Sequence, residues 1–132
     1  MKKMNLNQIM DMMEQETGYY GFRGASKRDL EILQGGEYLD ASLDLWNERD
    51  CDYKEDADRL NGTSAICITE YMDMDELKKW YDYAKGYADN HHNTGIVLFV
   101  YGDSCDSGDD KNEALLKCDF EDGAKVIAEV ML

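Results

Sequence analysis

The sequence predicts an α+β fold in one domain, and three observations carry that reading. Apolar residues recur at helical spacing in two stretches, Leu6, Ile9, Met10 and Met13 near the start and Leu77, Trp80, Tyr81, Ala84, Tyr87 and Ala88 further on. Between and after them lie short runs rich in aromatic and β-branched residues, of strand length. No internal repeat or low-complexity linker separates the two kinds of segment, so they must share a core. A chain of 132 residues has room for one such core and is crowded for two. The expectation is therefore a single domain over 1–132, with mixed and antiparallel strands packed with about three helices.

The first helix is expected over 5–17, because Asn5 and Gln8 stand like the two halves of a capping box and Gly18 follows as a stop. Its methionines offer either a core stripe or a partner-binding face, and at helical spacing the core is the commoner use. Residues 19–25, aromatic and short, read as a first strand that directs Arg23 away from the side of Tyr20 and Phe22. Ser26 and Asp29 then open a second helix, which Gly35 and Gly36 end. From 37 to 61 the periodicity is lost: a short piece at 38–42, Trp46 among polar residues and an acidic stretch at 50–58 indicate a long surface segment, a kind of segment that often carries function.

After Asn61 and Gly62, residues 64–69 read as a buried strand, and 75–88 form the clearest helix of the chain. Residues 95–101 are almost wholly apolar and suit the middle of a sheet. A loop of small and acidic residues at 102–110 precedes a strand at 113–118. The turn at Glu121, Asp122 and Gly123 leads into clean alternation over 124–130, so the chain is expected to close in a hairpin.

Charge narrows the classes of function. The chain has 29 acidic residues against 14 basic ones, a formal net charge of -15. Such a field repels phosphate backbones and anionic membranes and attracts basic protein surfaces. Direct nucleic-acid binding and membrane association are therefore not expected. The charge serves solubility, or it marks an acidic decoy that fills the nucleic-acid groove of another protein, as an inhibitor from a phage or mobile element would. Cys51, Cys67, Cys105 and Cys118 lie far apart with no CxxC pair, which indicates neither a zinc site nor a disulfide framework. The stretch after Lys2 and Lys3 is broken by Asn5, Asn7, Gln8 and Asp11, unlike a signal peptide, and no run reaches membrane-spanning length. Free thiols without an export signal point to the cytoplasm.

Motifs of the common hydrolases and nucleoside triphosphatases are missing: there is no G-x-S-x-G elbow, phosphate-cradling lysine loop or two-histidine metalloprotease motif. Asp103, Asp106, Asp109 and Asp110 lack the alternating acid spacing and central glycine of a helix-loop-helix calcium site. His91 and His92 fall at a helix end, where histidine favours the dipole and caps carbonyls. Two residues stand out. Arg23 sits in a strand with Gly21 and Gly24 nearby; it is either a rigid fork for phosphate or carboxylate, with room for a ligand beside it, or the partner of a neighbouring acid. Glu113 opens a strand directly after the acidic loop, positioned either to aim a carboxylate into a cleft or to lie exposed at a strand end.

The stretch Gly21-Phe22-Arg23-Gly24-Ala25-Ser26 resembles the first-strand arginine motif of the arginine-serine-glutamate class of ADP-ribosyltransferases. The residues from Tyr38 to Trp46, and Gly62-Thr63-Ser64-Ala65-Ile66, are similar to that class's later serine-bearing elements, and Glu113-Ala114-Leu115-Leu116 resembles its catalytic glutamate with the apolar strand that follows. Two positions depart from the pattern: Lys111 stands where the family has an acidic or amide residue, and the serine-threonine-serine triplet is reduced to Thr63 and Ser64. The resemblance implies a split sheet of that family over 19–131 and NAD as substrate. Arg23 would hold the NAD pyrophosphate or a nearby ribose, and Ser42, Thr63 or Ser64 would orient Glu113. Glu113 would stabilise the oxocarbenium-like charge that develops as nicotinamide leaves. Trp46 or Tyr38 would stack on nicotinamide or serve the core. The acceptor implied by the acidic surface is a basic macromolecule, and a non-enzymatic acidic interaction protein is the alternative.

Overall fold

The computed structural model describes residues 1–36, 38–39, 65–102, 104–107, 114–117 and 124–132, with backbone alone at 38–39, 104–107, 114–117 and 124. Eight strands join in one mixed sheet: β1 (Lys3–Asn5), β2 (Tyr19–Gly24), β3 (Tyr38–Leu39), β4 (Ile66–Ile68), β5 (Val97–Gly102), β6 (Ser104–Ser107), β7 (Ala114–Lys117) and β8 (Ala124–Met131). The helices among the described residues are α1 (Leu6–Gln15), α2 (Lys27–Leu33) and α3 (Met74–Tyr87), the last running into a π-helical turn at Ala88–His92. The strands lie in the order β1-β8-β5-β2-β4-β7-β6, and β3 also pairs with β8. Only the β1–β8 pairing among these is parallel.

Local chemistry explains the helix starts. Asn5 and Gln8 exchange hydrogen bonds of 2.8 and 2.9 Å as a capping box, and Ser26 with Asp29 does the same for α2. Asp73 caps α3 by accepting from the Glu76 N–H at 2.8 Å. Helix α1 ends two residues before the expected 17, as Glu16 turns to extended backbone. Beyond it Gly18 passes so close to the Tyr101 ring that a Cβ would meet it at 2.5 Å.

The sheet is covered on both faces. Tyr20, Phe22, Ile66, Ile68, Val97, Phe99, Ala128 and Val130 form one core with Leu6, Ile9 and Met13 of α1 and Leu77, Tyr81 and Ala84 of α3. The methionine-bearing stripe of α1 is thus core at Met13, with Met10 packed at its margin. On the other face Leu98, Val100, Val126, Ala25 and Ala65 pack with Leu30 and Leu33 of α2. Strand β5, central and paired with both β2 and β8, contributes to both cores by alternation, which is why 95–101 is apolar nearly throughout.

Three expectations change. The closing strands are not a hairpin with each other: β7 lies between β4 and β6, whereas β8 pairs with β5. The antiparallel partner of β7 after a short connection is β6, which lies within the expected loop at 102–110. Backbone pairing made a strand of Ser104–Ser107 where small and acidic side chains gave no apolar signal. Strand β1 was also not foreseen, because it exists only through its parallel pairing with β8, which buries Met4.

The cysteine reading changes as well. Cys67 on β4 is disulfide-bonded, so the chain does not carry free thiols throughout. Disulfides persist in oxidising surroundings, and the cysteines therefore cease to argue for the cytoplasm. Among the described residues no helix is long and apolar enough to cross a membrane.

Gly24 is where β2 meets α3. A Cβ there would lie 2.7 Å from the Ala84 carbonyl oxygen and 3.0 Å from the Ala88 nitrogen, both backbone atoms that cannot swing aside. The space beside Arg23 at this glycine is occupied by a helix and does not admit a ligand. Gly24→Ala is expected to lower stability by about 1–3 kcal/mol, read from the urea midpoint, as overpacking of a rigid contact does.

Candidate functional site

Arg23 lies on β2, opposite in phase to Tyr20 and Phe22, so its side chain enters the face covered by α2. It is only 5% exposed. Its Nε donates to Asp29 Oδ2 at 2.9 Å and its Nη2 donates to Asp29 Oδ1 at 3.2 Å, a two-pronged pairing of guanidinium with carboxylate. Asp29 is itself 2% exposed and stands in the first turn of α2. The same Oδ2 accepts the Ser26 N–H at 3.0 Å, while Ser26 Oγ accepts the Asp29 N–H at 3.0 Å.

This small network explains why a charge is tolerated under a helix. The carboxylate is neutralised by Arg23, favoured by the positive end of α2 and saturated with donors. The arginine in turn joins the central strand to α2. Of the two sequence readings of Arg23, pairing with a nearby acid is therefore realised, and among the described residues Asp29 is such an acid. The sequence held the signal: Ser26-x-x-Asp29 is a capping box, and a box that begins three residues after Arg23 brings its carboxylate back over the strand end.

The chain leaving β2 is pinned next to this network. Ala25 N–H donates to the Ile96 carbonyl at 2.8 Å, and the Thr94 hydroxyl donates to the Ala25 carbonyl at 2.6 Å. Asn93 and Gly95 take left-handed backbone, φ 55° and +65°, to bring the chain from the π-helical turn into β5. His91 and His92 both lie in that turn against Tyr87, whose ring stacks on His91 at 4.3 Å and meets His92 edge-on at 5.3 Å. Both histidines are thus in aromatic contact with Tyr87. Among the described residues no three His, Cys, Asp or Glu side chains come together as a metal site.

Ser42, Trp46, Thr63, Ser64 and Glu113 lie outside the described residues, as do Lys111 and the acidic positions Asp103, Asp109 and Asp110. The backbone describes β4 and β7, the strands that follow Ser64 and Glu113. The segment ending in Ser64 leads into β4 one residue later, and Glu113 directly precedes β7. Strand β4 pairs with β2 on one side, Phe22 opposite Ile66, and with β7 on the other, Ile66 opposite Leu115. No family model, no curated protein and no solved structure matches this chain.

Proposed function

We propose that this chain is an ADP-ribosyltransferase-like protein that binds NAD and transfers ADP-ribose to a basic macromolecular target. The observation that supports it is the order β2-β4-β7 in the sheet. Three of the four stretches that carry the resemblance, around Arg23, before β4 and before β7, are far apart in the sequence, yet the strands they adjoin are consecutive neighbours; the fourth begins at β3, which pairs with β8. Strands in a sheet are spaced by about 4.8 Å, so one dinucleotide reaches across three of them.

In this reading Arg23, held in place by Asp29, is the residue that the resemblance assigns to the NAD pyrophosphate or a nearby ribose. Ser42, Thr63 or Ser64 orients Glu113. The Glu113 carboxylate stabilises positive charge on the nicotinamide ribose as the C–N bond to nicotinamide breaks, and the acceptor nucleophile, or water, then bonds to that carbon. Trp46 provides a stacking surface for nicotinamide. The acidic surface selects a basic acceptor, with a net charge of -15 supplying the attraction.

Nicotinamide release from NAD by the purified protein tests this. Wild type is expected to release nicotinamide, at least slowly to water, and Glu113→Gln to lose roughly 100-fold or more of that rate, the usual cost of removing one electrostatic stabiliser. Absence of both turnover and binding at millimolar NAD overturns the proposal.

A second reading is favoured by one observation, the burial of Arg23 with its Nε and Nη2 committed to Asp29. If that arginine serves only the fold, the chain is a non-enzymatic acidic protein that binds a basic partner, a nucleic-acid mimic or inhibitor. Failure to bind or turn over NAD, together with partner binding that weakens in salt, separates it from the enzyme.

A further inference from the structure

Helix α3 buries one face, Leu77, Tyr81, Ala84 and Ala88, against the sheet. Beside that face runs a second line at the spacing of neighbouring turns: Glu76, Trp80, Tyr83 and Tyr87, continued by His91 in the π-helical turn. Tyr83 is 51% exposed, Trp80 and Tyr87 are half-buried, and His91 is exposed. Their rings are already arranged as a ladder: Trp80 and Tyr83 meet edge to face at 6.1 Å, and Tyr87 stacks on His91 at 4.3 Å. A folded protein gains little from an aromatic row along the wet flank of a helix. Partly exposed Trp and Tyr held by their own neighbours are instead what anchors an interface.

The surrounding charge says what the row meets. Between Glu70 and His92 there are six carboxylates and three lysines. Each lysine already has a neighbour: Lys78 pairs with Asp82 at 2.9 Å, Lys85 pairs with Asp89 at 3.1 Å, and Lys79 Nζ stands 4.8 Å from the centre of the Trp80 ring. The excess carboxylates, Glu70, Asp73, Asp75 and Glu76, gather at the end of the row where Tyr71 is 89% exposed. Lys79 over Trp80 shows within the chain itself what these rings accept, a side-chain cation on an aromatic face.

We infer that the flank of α3 formed by Glu76, Trp80, Tyr83 and Tyr87 is the docking face for a lysine- or arginine-bearing segment of a basic protein. Cationic side chains stack on the rings, and the carboxylates at the Glu76 end supply salt-sensitive attraction. The inference rests on the basic-partner reading of the net charge, which both functional readings share, and it is independent of NAD chemistry.

The test is fluorescence anisotropy of a labelled oligoarginine peptide titrated with the full chain at low and at physiological salt. Wild type is expected to bind, more weakly as salt rises, and Tyr83→Ala to weaken binding roughly 5-fold or more, as loss of an interface anchor does. Met74→Ala, an apolar truncation on the opposite flank of α3, is expected to bind like wild type. Trp80→Ala adds to the case only if its urea midpoint matches wild type, because Trp80 also packs on the core. Tyr83→Ala is held to the same check of its urea midpoint. Peptide binding that Tyr83→Ala and Tyr87→Ala leave unchanged overturns the face while leaving the basic-partner reading intact. No oligoarginine binding at either salt overturns that reading, and the inference with it. Self-association of the chain that Tyr83→Ala abolishes assigns the face to a second copy and overturns it too.

Discussion

Asp29→Ala is expected to cost this protein about 3–5 kcal/mol, a large share of the roughly 5–15 kcal/mol that separates a folded domain from its unfolded chain. The substitution removes three things together. It strips the partner from a guanidinium that is 5% exposed, takes an acceptor from the Ser26 N–H, and deletes the acid that complements the start of α2. Loss of the two-pronged pairing carries much of the cost, so the double variant Arg23→Met with Asp29→Leu should recover part of it, as replacement of a buried pair by apolar groups commonly does. Urea unfolding of wild type, single and double variants checks this. Asp29→Ala within about 1 kcal/mol of wild type would mean that water reaches the pair and that Arg23 is open to other anions.

Phe99→Ala is expected to cost a comparable amount, about 3–5 kcal/mol, for a different reason. Phe99 is fully buried on the central strand β5 and packs its ring against Tyr20 at 5.3 Å and Phe22 at 6.5 Å. Those two rings belong to β2, so truncation opens a cavity between the strands at the middle of the first core. Neighbouring side chains cannot collapse into it without breaking the β2–β5 ladder that runs from Tyr19 to Gly24. Tyr20 adds a spectroscopic readout: burial, then the nearby Glu16 and Tyr101, push its phenol above the ordinary tyrosine range, and its hydroxyl donates to the Glu16 carbonyl at 3.0 Å. In Phe99→Ala the Tyr20 titration should move back toward the exposed value as water enters. A titration that stays put, with stability near wild type, would show that the ring cluster repacks.

Much of the local structure was legible because it is encoded within a few residues. The capping boxes at Asn5 and Ser26 mark their helices, the Leu77–Ala88 spacing marks α3, and the apolar run at 95–101 marks a strand buried on both faces. Missed were the features whose reason lies elsewhere in the chain. Strand β1 needs the edge of β8, and β6 needs β7. Gly24 looked like room for a ligand until α3 was seen against it. Of the proposed site, Arg23 was found as a residue with two possible uses, and which acid it meets follows from how α2 folds back over β2.

By itself the sequence determined the α+β class, the positions of the helices, the apolar central strand and a net charge of -15. These depend on periodicity, caps and charge, which act over a turn or two of chain or over the whole surface without regard to topology. The tertiary structure alone decided the strand order, the pairing of Arg23 with Asp29, the packing of α3 on Gly24 and the disulfide at Cys67. Each of these joins groups distant in the chain, and such contacts are selected by which surfaces can be buried together, a condition that exists only once the core has formed.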